Sequence, residues 1–312
     1  MLRFGLVVTG CLVLAACGGA VDETADETTE ALPTSEVASG VAEVAEEAAG
    51  PETGTLEWAL AGEWRGENAS RDSYRHPAET LAFMEIDPSM TVVEIWPGGG
   101  WYTEVLAPWI NANGGTYVAA HFPADSASAA RQRSRAAFED RFLGNDVFGD
   151  IVIRDWGPAE GELGEPGSAD AVLTFRNVHN WMRGGFTERA FTEFYDVLRP
   201  GGVLGVVEHR LPDTREQDPM AGSGYVQEAY VIAIAQEAGF ELVATSEINA
   251  NPLDTADHPN GVWTLPPSRN GWEEEGFDSA PFEAIGESDR MTLLFRKPVS
   301  DPVPEAESAS ED

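Results

Sequence analysis

The chain has 312 residues, with 19 Lys and Arg against 54 Asp and Glu, so its formal net charge is −35. This balance argues against a nucleic-acid partner, because binding to phosphates needs a basic surface. Hydrophobic residues make up 42% of the chain and aromatic residues 9%, which is enough apolar material for a folded core rather than a disordered chain.

The first seventeen residues have the pattern of an export signal. Arg3 precedes a short apolar run, residues 4–16, which is too short to span a bilayer. The run ends at Leu14-Ala15-Ala16-Cys17-Gly18, which resembles the lipobox of bacterial lipoproteins, where the cysteine is lipidated and becomes the first mature residue. Gly18 resembles the residue that directs lipoproteins to the outer membrane. We therefore expect export, cleavage after residue 16, and lipid anchoring through Cys17 to the periplasmic face of the outer membrane.

Two acidic segments flank the predicted domain. Residues 18–57 hold eleven Asp and Glu and no Lys or Arg, and residues 299–312 hold five more acids, again with no basic residue. Such segments cannot bury enough apolar surface to offset their ordering entropy. We interpret them as a disordered tether and a disordered tail around one domain at 58–298, which touches the membrane through the lipid alone.

Short apolar runs rich in β-branched residues alternate with helical patterns along this domain. Strands are predicted at 91–95, 116–120, 150–154, 170–175, 203–208, 240–248 and 291–296. Helices are predicted at about 101–110, 126–142, 188–198 and 225–238, with a further one beginning near Pro77. The pattern is typical of an α/β fold with a Rossmann-like, doubly wound, seven-stranded sheet, mostly parallel, with helices on both faces and an antiparallel last strand.

The first strand runs into a glycine-rich turn. Glu94 lies near the end of the strand, and Trp96, Pro97, Gly98, Gly99, Gly100, Trp101 and Tyr102 follow it. Glycines at a strand-to-helix turn let the backbone approach a ligand closely, and an acid just before them can hydrogen-bond a polar group of that ligand. This turn is the first candidate binding element.

Polar side chains follow the fourth and fifth strands, and ligands of open α/β sheets bind beyond the carboxyl ends of the strands. Asn177 and His179 follow strand four, where an extended backbone would point both to one side. Glu208 and His209 follow strand five. A neutral imidazole at His179 could take a proton from a nucleophile, so these four residues are the predicted catalytic group. A structural role of His179 in its loop and an ion pair of Glu208 within its own loop remain open alternatives.

Two further segments are candidates for the walls of a substrate site. Residues 249–289 form a long insertion whose aromatic content, including Trp263, indicates an ordered lid. Residues 74–76, which are Tyr74, Arg75 and His76, precede the predicted helix at Pro77, and helix capping is the alternative role of His76. Trp181 is placed near the same cleft. The five histidines show no close metal spacing and the domain has no cysteine, so no metal site is expected.

The glycine turn resembles that of class I S-adenosylmethionine-dependent methyltransferases. Within that class the chain is similar to a family of exported predicted methyltransferases with a Pro-Gly-Gly-Gly-Trp-Tyr turn, and the resemblance spans residues 62–298. It rests on several motifs together, Pro97-Gly98-Gly99-Gly100-Trp101-Tyr102, Arg75-His76-Pro77, Arg176-Asn177-Val178-His179-Asn180-Trp181, Leu198-Arg199-Pro200-Gly201-Gly202 and Ser288-Asp289-Arg290-Met291.

The resemblance implies that S-adenosylmethionine is the cofactor. It implies that Glu94 orients the methionine part, and that Gly98 and Gly100 match the second and third glycines of a Gly-x-Gly-x-Gly turn whose first glycine is replaced by Trp96. His121 stands at the end of strand two, where an acid usually holds the ribose hydroxyls, and Asp155 and Trp156 stand where an acid and an apolar residue frame the adenine. The resemblance also implies that residues 74–76 close over the cleft. The predicted cofactor contacts are Glu94, Trp96, Pro97, Gly98, Gly99, Gly100, Tyr102, His121, Asp155 and Trp156.

Three functions are compatible with these observations. The first is methyl transfer from S-adenosylmethionine to a small molecule or an envelope component. The second is an exported module that keeps the methyltransferase fold, binds another small ligand and has lost catalysis, which Trp96 and the missing strand-two acid favour. The third is a structural envelope protein. The oligomeric state is left open.

The lipoprotein hypothesis predicts the behaviour of Cys17→Ser. This protein should lose its membrane association, because the chain after residue 17 is acidic and offers no apolar anchor. Fractionation of cell membranes after a high-salt wash measures the effect. A Cys17→Ser protein that stays with the washed membranes would contradict the hypothesis.

Overall fold

The computed structural model describes residues 50–158 and 161–299. The signal peptide, Cys17, most of the tether and the tail from residue 300 lie outside the described residues. Of the helices that are described, none combines the length and the apolar composition needed to cross a membrane.

The described residues contain a mixed sheet of eight strands. They are β1 Thr91–Ile95, β2 Thr116–His121, β3 Ile151–Asp155, β4 Ala169–Phe175, β5 Leu198–Leu211, β6 Val226–Gln227, β7 Glu241–Ser246 and β8 Arg290–Arg296. The order is β3-β2-β1-β4-β5-β8-β7, and β6 pairs with the end of β5. β1 to β5 pair in parallel, whereas β8 is antiparallel to both β5 and β7. The doubly wound fold and the antiparallel last strand are confirmed.

The eighth strand is the difference from the predicted count of seven. Val226 and Gln227 lie where the pattern predicted the first turn of a helix at 225–238. They are extended because they pair with Arg210 and Leu211 at the end of β5. The helix therefore begins at Glu228.

Nine α-helices accompany the sheet in the described residues. They are α1 Leu56–Leu60, α2 Asp72–Arg75, α3 Pro77–Phe83, α4 Thr103–Ala112, α5 Ala129–Phe142, α6 Val178–Gly184, α7 Thr187–Val197, α8 Glu228–Glu237 and α9 Ala280–Ile285, with 3₁₀ helices at Glu63–Arg71 and Gly261–Thr264. The hydroxyl of Thr55 caps α1 by accepting from the Trp58 amide at 3.1 Å. Helical structure thus begins two residues before the predicted domain start at residue 58.

The alternation of side chains along the strands divides the core into two layers. Val93 and Ile95 of β1 pack on one face of the sheet with Phe191 of α7. Val92 packs on the other face with Val105 of α4 and Phe138 of α5. Helices therefore cover both faces, and Glu94, which shares the face of Val92, is held between the sheet and α4.

The parallel pairing of β1 with β2 depends on a close approach at Gly115. A Cβ atom at this position would lie 2.3 Å from the carbonyl oxygen of Pro88 and 2.6 Å from that of Met90. The amide of Thr116 donates to the Met90 carbonyl at 3.0 Å, directly before the strand pairing begins. Gly115 thus lets β2 reach the register that brings Tyr117 near Glu94.

We expect Gly115→Ala to lower the free energy of unfolding by about 1–3 kcal/mol, because backbone atoms must move to accept the methyl group. Chemical denaturation measures the change. Gly99→Ala is the matched control, since no atom lies within 4 Å of its Cβ position. Equal losses in the two variants would show that the approach at Gly115 is not tight.

Candidate active site

A cavity of about 510 Å³ lies beyond the carboxyl ends of β1, β4 and β5. It is located where the strand order reverses between β1 and β4, the usual ligand position in doubly wound sheets. Its volume is in the range of small-molecule sites. The sequence-predicted residues that line it are Arg75, Glu94, Trp96, Pro97, Gly98, Gly99, Tyr102, Asn177, His179, His209 and Trp263.

Glu94 is a buried carboxylate on the floor of this cavity. Its Oε2 atom accepts a hydrogen bond from the Tyr117 hydroxyl at 2.5 Å and one from the Thr103 hydroxyl at 3.3 Å. Burial raises the pKa of Glu94 from 4.5 to about 7, although both hydroxyls oppose the shift. The partners are side chains of β2 and α4, so Glu94 does not cap the adjoining turn. Neither partner was predicted from the sequence, because both contacts depend on strand register and helix placement.

Trp96 occupies the position of the missing first glycine. Its backbone is left-handed, with φ of 48°, the conformation that glycine adopts most easily. The indole Nε1 donates to the carbonyl of Trp156 at 3.0 Å, and the ring packs edge-on or tilted against Phe122, Trp181 and Phe186. The ring is thereby held in the aromatic core, and it borders the cavity without filling it.

His179 and Glu208 form a hydrogen-bonded pair at the N-terminus of α6. The carboxylate Oε1 lies 3.0 Å from His179 Nδ1, and Oε2 accepts the Val178 amide at 2.6 Å. Glu208 is fully buried and does not line the cavity itself; it orients the imidazole that does. Asn177 donates to the Ile95 carbonyl at 2.8 Å and so joins the ends of β4 and β1. The exit from β4 is not extended as predicted, since α6 begins at Val178.

His209 lies beside this pair. Its Nδ1 is 2.6 Å from the Ser288 hydroxyl, and burial holds its pKa well below the usual value, so the ring is neutral. One ligand atom each from His179, Glu208 and His209 lies within 4.8 Å of the others, a spacing that a divalent cation could share. No metal site was expected from the spacing of the histidines, and this convergence has no local signal because its ligands come from two elements, α6 and β5. The carboxylate already accepts hydrogen bonds from backbone amides, which a cation would have to displace.

Several predicted contacts lie away from the cavity. His121 is fully buried, its Nδ1 accepts the amide of Phe122 at 2.8 Å, and its Nε2 is directed at the Gly98 carbonyl at 3.4 Å. Both ring nitrogens therefore have a partner within the chain, and His121 does not line this cavity; its contact with a ribose stays a prediction. Gly100 has φ of +79° and turns the chain into α4; its Cβ position would meet the Phe142 ring.

Asp155 and Trp156 do not frame this cavity either. Asp155 extends outward and pairs with Arg135 at 2.6 Å. Trp156 is fully buried and donates its indole N–H to Glu193 at 2.6 Å. The end of β3 is thus fixed by neighbouring helices, which a reading of the strand alone could not reveal.

The other residues that were predicted to line the substrate site lie in two cavities and in the core. Tyr74 and His76 line a smaller cavity of about 300 Å³, which shares Glu287 with the main cavity, whereas Arg75 faces the main one. Trp181 is fully buried in the aromatic core beneath the site. Residues 74–76 thus face two cavities, because α2 ends within them and the left-handed backbone of His76 redirects the chain; their closing over the cleft stays a prediction.

The insertion at 249–289 contributes one wall. Trp263 lies with its ring 5.9 Å from that of His179, and it is joined at the wall by Val262, Pro266, Pro267 and Ser268. The segment is ordered as predicted, with Asn249 bonded to the hydroxyls of Thr80 and Thr292. Its opening and closing as a lid stays a prediction.

Sequence reasoning missed the arginines of the cavity. Arg71, Arg141 and Arg176 line it, together with the carboxylate of Glu287. Two of them could have been found from the sequence, because basic residues are rare in this acidic chain and these two lie in or near motifs of the resemblance. Arg176 begins the motif at residues 176–181, and Arg71 lies four residues before the motif at residues 75–77.

No protein-family model matches the sequence, and no curated protein matches it. Solved structures with a similar fold include a SAM-dependent methyltransferase from Aquifex aeolicus, 12% identical, covering 73% of this chain and 93% of that one with a TM-score of 0.48. A SAM-dependent methyltransferase from Methanosarcina mazei is 12% identical over 70% and 97%, with a TM-score of 0.44. The cyclase SpnF is 16% identical over 73% and 82%, with a TM-score of 0.48. At these identities the likeness concerns the fold.

The raised pKa of Glu94 makes stability depend on pH in a defined direction. In the unfolded chain the carboxyl ionises near pH 4.5, whereas in the folded chain it stays protonated to about pH 7. The folded state therefore binds the proton more tightly, and the contribution of Glu94 to stability is full below pH 4.5 and is lost as the pH rises to 7.

Glu94→Gln removes this ionisation while keeping an acceptor for Tyr117. We expect the free energy of unfolding of the variant, minus that of the wild type, to increase by about 1–3 kcal/mol between pH 5 and pH 8. Denaturant unfolding of both proteins at the two pH values measures it. A difference that does not change with pH would contradict the raised pKa.

Proposed function

We propose that this cavity binds the methionine end of S-adenosylmethionine and that the protein transfers the methyl group to a small molecule or an envelope component. The observation that carries the proposal is the buried carboxylate of Glu94 at the end of β1. It faces the cavity beside a glycine turn, at the crevice where the strand order reverses.

The residues of this cavity fit the methionine end of the cofactor. The carboxylate of Glu94 is suited to an ammonium group, and no atom lies within 4 Å of the Cβ positions of Gly98 and Gly99, so the turn leaves room for a ligand. His121 and Asp155 are bonded to Phe122 and Arg135 and do not line this cavity. A second cavity of about 530 Å³ follows β2 and β3 and is lined by Asp125, Ser126 and Ser128, among others. We infer that these polar groups take the place of the missing strand-two acid.

When bound, S-adenosylmethionine supplies an electrophilic methyl group on a sulfonium. The chain's own contribution is alignment and proton removal. Glu94, in its ionised form, would hold the ammonium group of the cofactor at the buried floor of the cavity. Glu208 fixes His179 through Nδ1, and a proton on Nδ1 leaves Nε2 as the basic nitrogen that can accept a proton from the methyl acceptor. His209 stays neutral, so it adds no competing charge.

The proposed location is the cell envelope. Its support is the sequence around Cys17, which resembles a lipobox, and the acidic tether that follows. A domain tethered there would meet acceptors of the envelope, and S-adenosylmethionine would have to reach it from the cytoplasm where it is made. An exported module that binds another ligand is the alternative function that the following experiment separates.

We expect the chain expressed without residues 1–17 to bind S-adenosylmethionine and S-adenosylhomocysteine in a calorimetric titration. Glu94→Gln should weaken the affinity for S-adenosylhomocysteine about ten- to a hundredfold, the worth of a charge-assisted hydrogen bond of about 1.5–3 kcal/mol. The fold should persist, because Gln keeps the size of Glu and an oxygen acceptor.

Glu193→Gln is the matched control, since Glu193 also accepts a hydrogen bond from an aromatic side chain, the indole N–H of Trp156, but lies outside the cavity. Its affinity should equal that of the wild type. A lower melting temperature of Glu94→Gln without any loss of affinity would remove Glu94 from the site. No saturable heat with either compound would reject the methyltransferase function and leave the binding module.

A further inference from the structure

Three guanidinium groups contact one carboxylate at one wall of the cavity, and a fourth lies nearby. The carboxylate of Glu287 lies 2.6 Å from Arg71 Nε, 3.1 Å from Arg75 Nε and 3.1 Å from Arg290 Nη1. Arg176 lines the same cavity. We call Arg71, Arg75 and Arg176, which all line the cavity, the arginine wall. A single carboxylate cannot neutralise these groups, so the wall carries excess positive charge in a chain whose net charge is −35.

The wall also has donors without partners. The Nη2 atoms of Arg71 and Arg75 are buried and have no hydrogen-bond partner among the described residues. Arg75 is only 2% exposed. The guanidinium of Arg176 makes no hydrogen bond or ion pair with the residues that the structure describes. Buried charged donors that lack partners are costly, and an acceptor group in the cavity would remove that cost.

The charges around the arginine wall also favour the binding of an anion. Burial, and then the nearby charge of Arg176, lowers the pKa of Arg75 to about 9. Burial lowers the pKa of Arg176 to about 10, against the opposing effect of Glu287. Glu94, with its pKa raised to about 7 by burial, is a weak counter-charge at neutral pH. An anion placed among these groups would gain attraction from each of them.

The backbone holds Arg176 in this position at a cost. Its φ is 63°, a left-handed conformation that is strained for a residue with a long side chain. Its amide donates to the Val207 carbonyl at 2.7 Å, which ties the turn to β5. A strained, unpaired arginine directly after β4 is more consistent with ligand binding than with a role in packing.

We propose that the arginine wall binds a carboxylate or phosphate group of the methyl acceptor. That the anion belongs to the acceptor rests on the proposed function. His179 lines the same cavity, so an acceptor held by its anionic end at the arginines can present its nucleophilic atom to the imidazole. The substrate class is therefore a small anionic organic molecule that also carries a nucleophile. Pairing of a guanidinium with a carboxylate or phosphate is geometrically favourable, because both oxygens can be bound at once.

The first test uses the chain without residues 1–17 and two probes, inorganic phosphate and malonate, titrated at constant ionic strength against chloride. We expect saturable binding by calorimetry and a higher melting temperature with at least one probe. Arg176→Met should weaken this binding about tenfold or more. Arg133→Met is the matched control, because Arg133 is exposed on α5 and lines neither cavity, so its loss should leave the affinity unchanged.

Arg176→Gly guards against a folding defect, since glycine accepts the left-handed backbone and removes only the side chain. It should fold at least as well as Arg176→Met and show the same loss of binding. Equal probe affinity in the wild type and in both Arg176 variants would overturn the proposal, as would probe binding that is not saturable.

The second test repeats the titration with S-adenosylhomocysteine at saturation. Probe binding that persists supports an acceptor site, whereas competition between the two would assign the arginines to the carboxylate of the cofactor and overturn the proposal. The failure of the methyltransferase function and the failure of the anion site give different results. If S-adenosylhomocysteine does not bind, the proposed methyltransferase function fails, and the assignment of the anion to an acceptor fails with it. A saturable effect that depends on Arg176 would then still establish an anion site.

Discussion

The site depends on one constraint, the burial of ionisable groups at the edge of the sheet where the parallel strands β1 and β5 end and the antiparallel β8 begins. Glu94, Glu208 and Glu287 all lie where the sheet ends, and each is buried. A buried carboxylate must gain hydrogen bonds or an opposite charge, or it stays protonated. The three residues meet this requirement in different ways. Glu94 has two hydroxyl donors and a raised pKa, Glu208 has backbone amides and an imidazole, and Glu287 has three arginines that lower its pKa to about 2 despite its burial.

These differences give each carboxylate a different chemical capacity. A carboxyl with a pKa near neutrality can take up negative charge when a cationic ligand arrives, which suits Glu94 to an ammonium group. Glu208 orients His179 because amide donors fix its oxygens. Glu287 stays ionised because its pKa is low, and it positions three arginines whose combined positive charge is larger than its own negative charge. The three groups line or support a single cavity, so the proposed ammonium site, the imidazole of His179 and the proposed anion site adjoin the same space.

Seven of the eight strands and the doubly wound fold class could be predicted from the sequence, because side-chain alternation and the spacing of helices are local patterns. The glycine turn and the polar residues after strands four and five were predicted for the same reason. The contacts of Glu287 with Arg71 and Arg75 join residues more than 200 positions apart, and no local pattern reveals them. His121 and Asp155 have partners, Phe122 and Arg135, that only the folded chain identifies, so no local pattern shows where their side chains lie.

The acidic exterior and the arginine wall act over different distances. At physiological salt, charges on an exposed surface are screened over about 8 Å, so the net charge of the chain has little influence inside a cavity bounded by protein. There the nearest groups dominate, because water is scarce and the effective dielectric constant is low. The acidic surface would still reduce non-specific binding of anions elsewhere. Most of the surface would therefore repel an anionic acceptor weakly. The acceptor would be bound where Arg75 and Arg176 face the same cavity as His179. Selection of the acceptor then depends on the residues of the cavity and not on the overall charge of the chain.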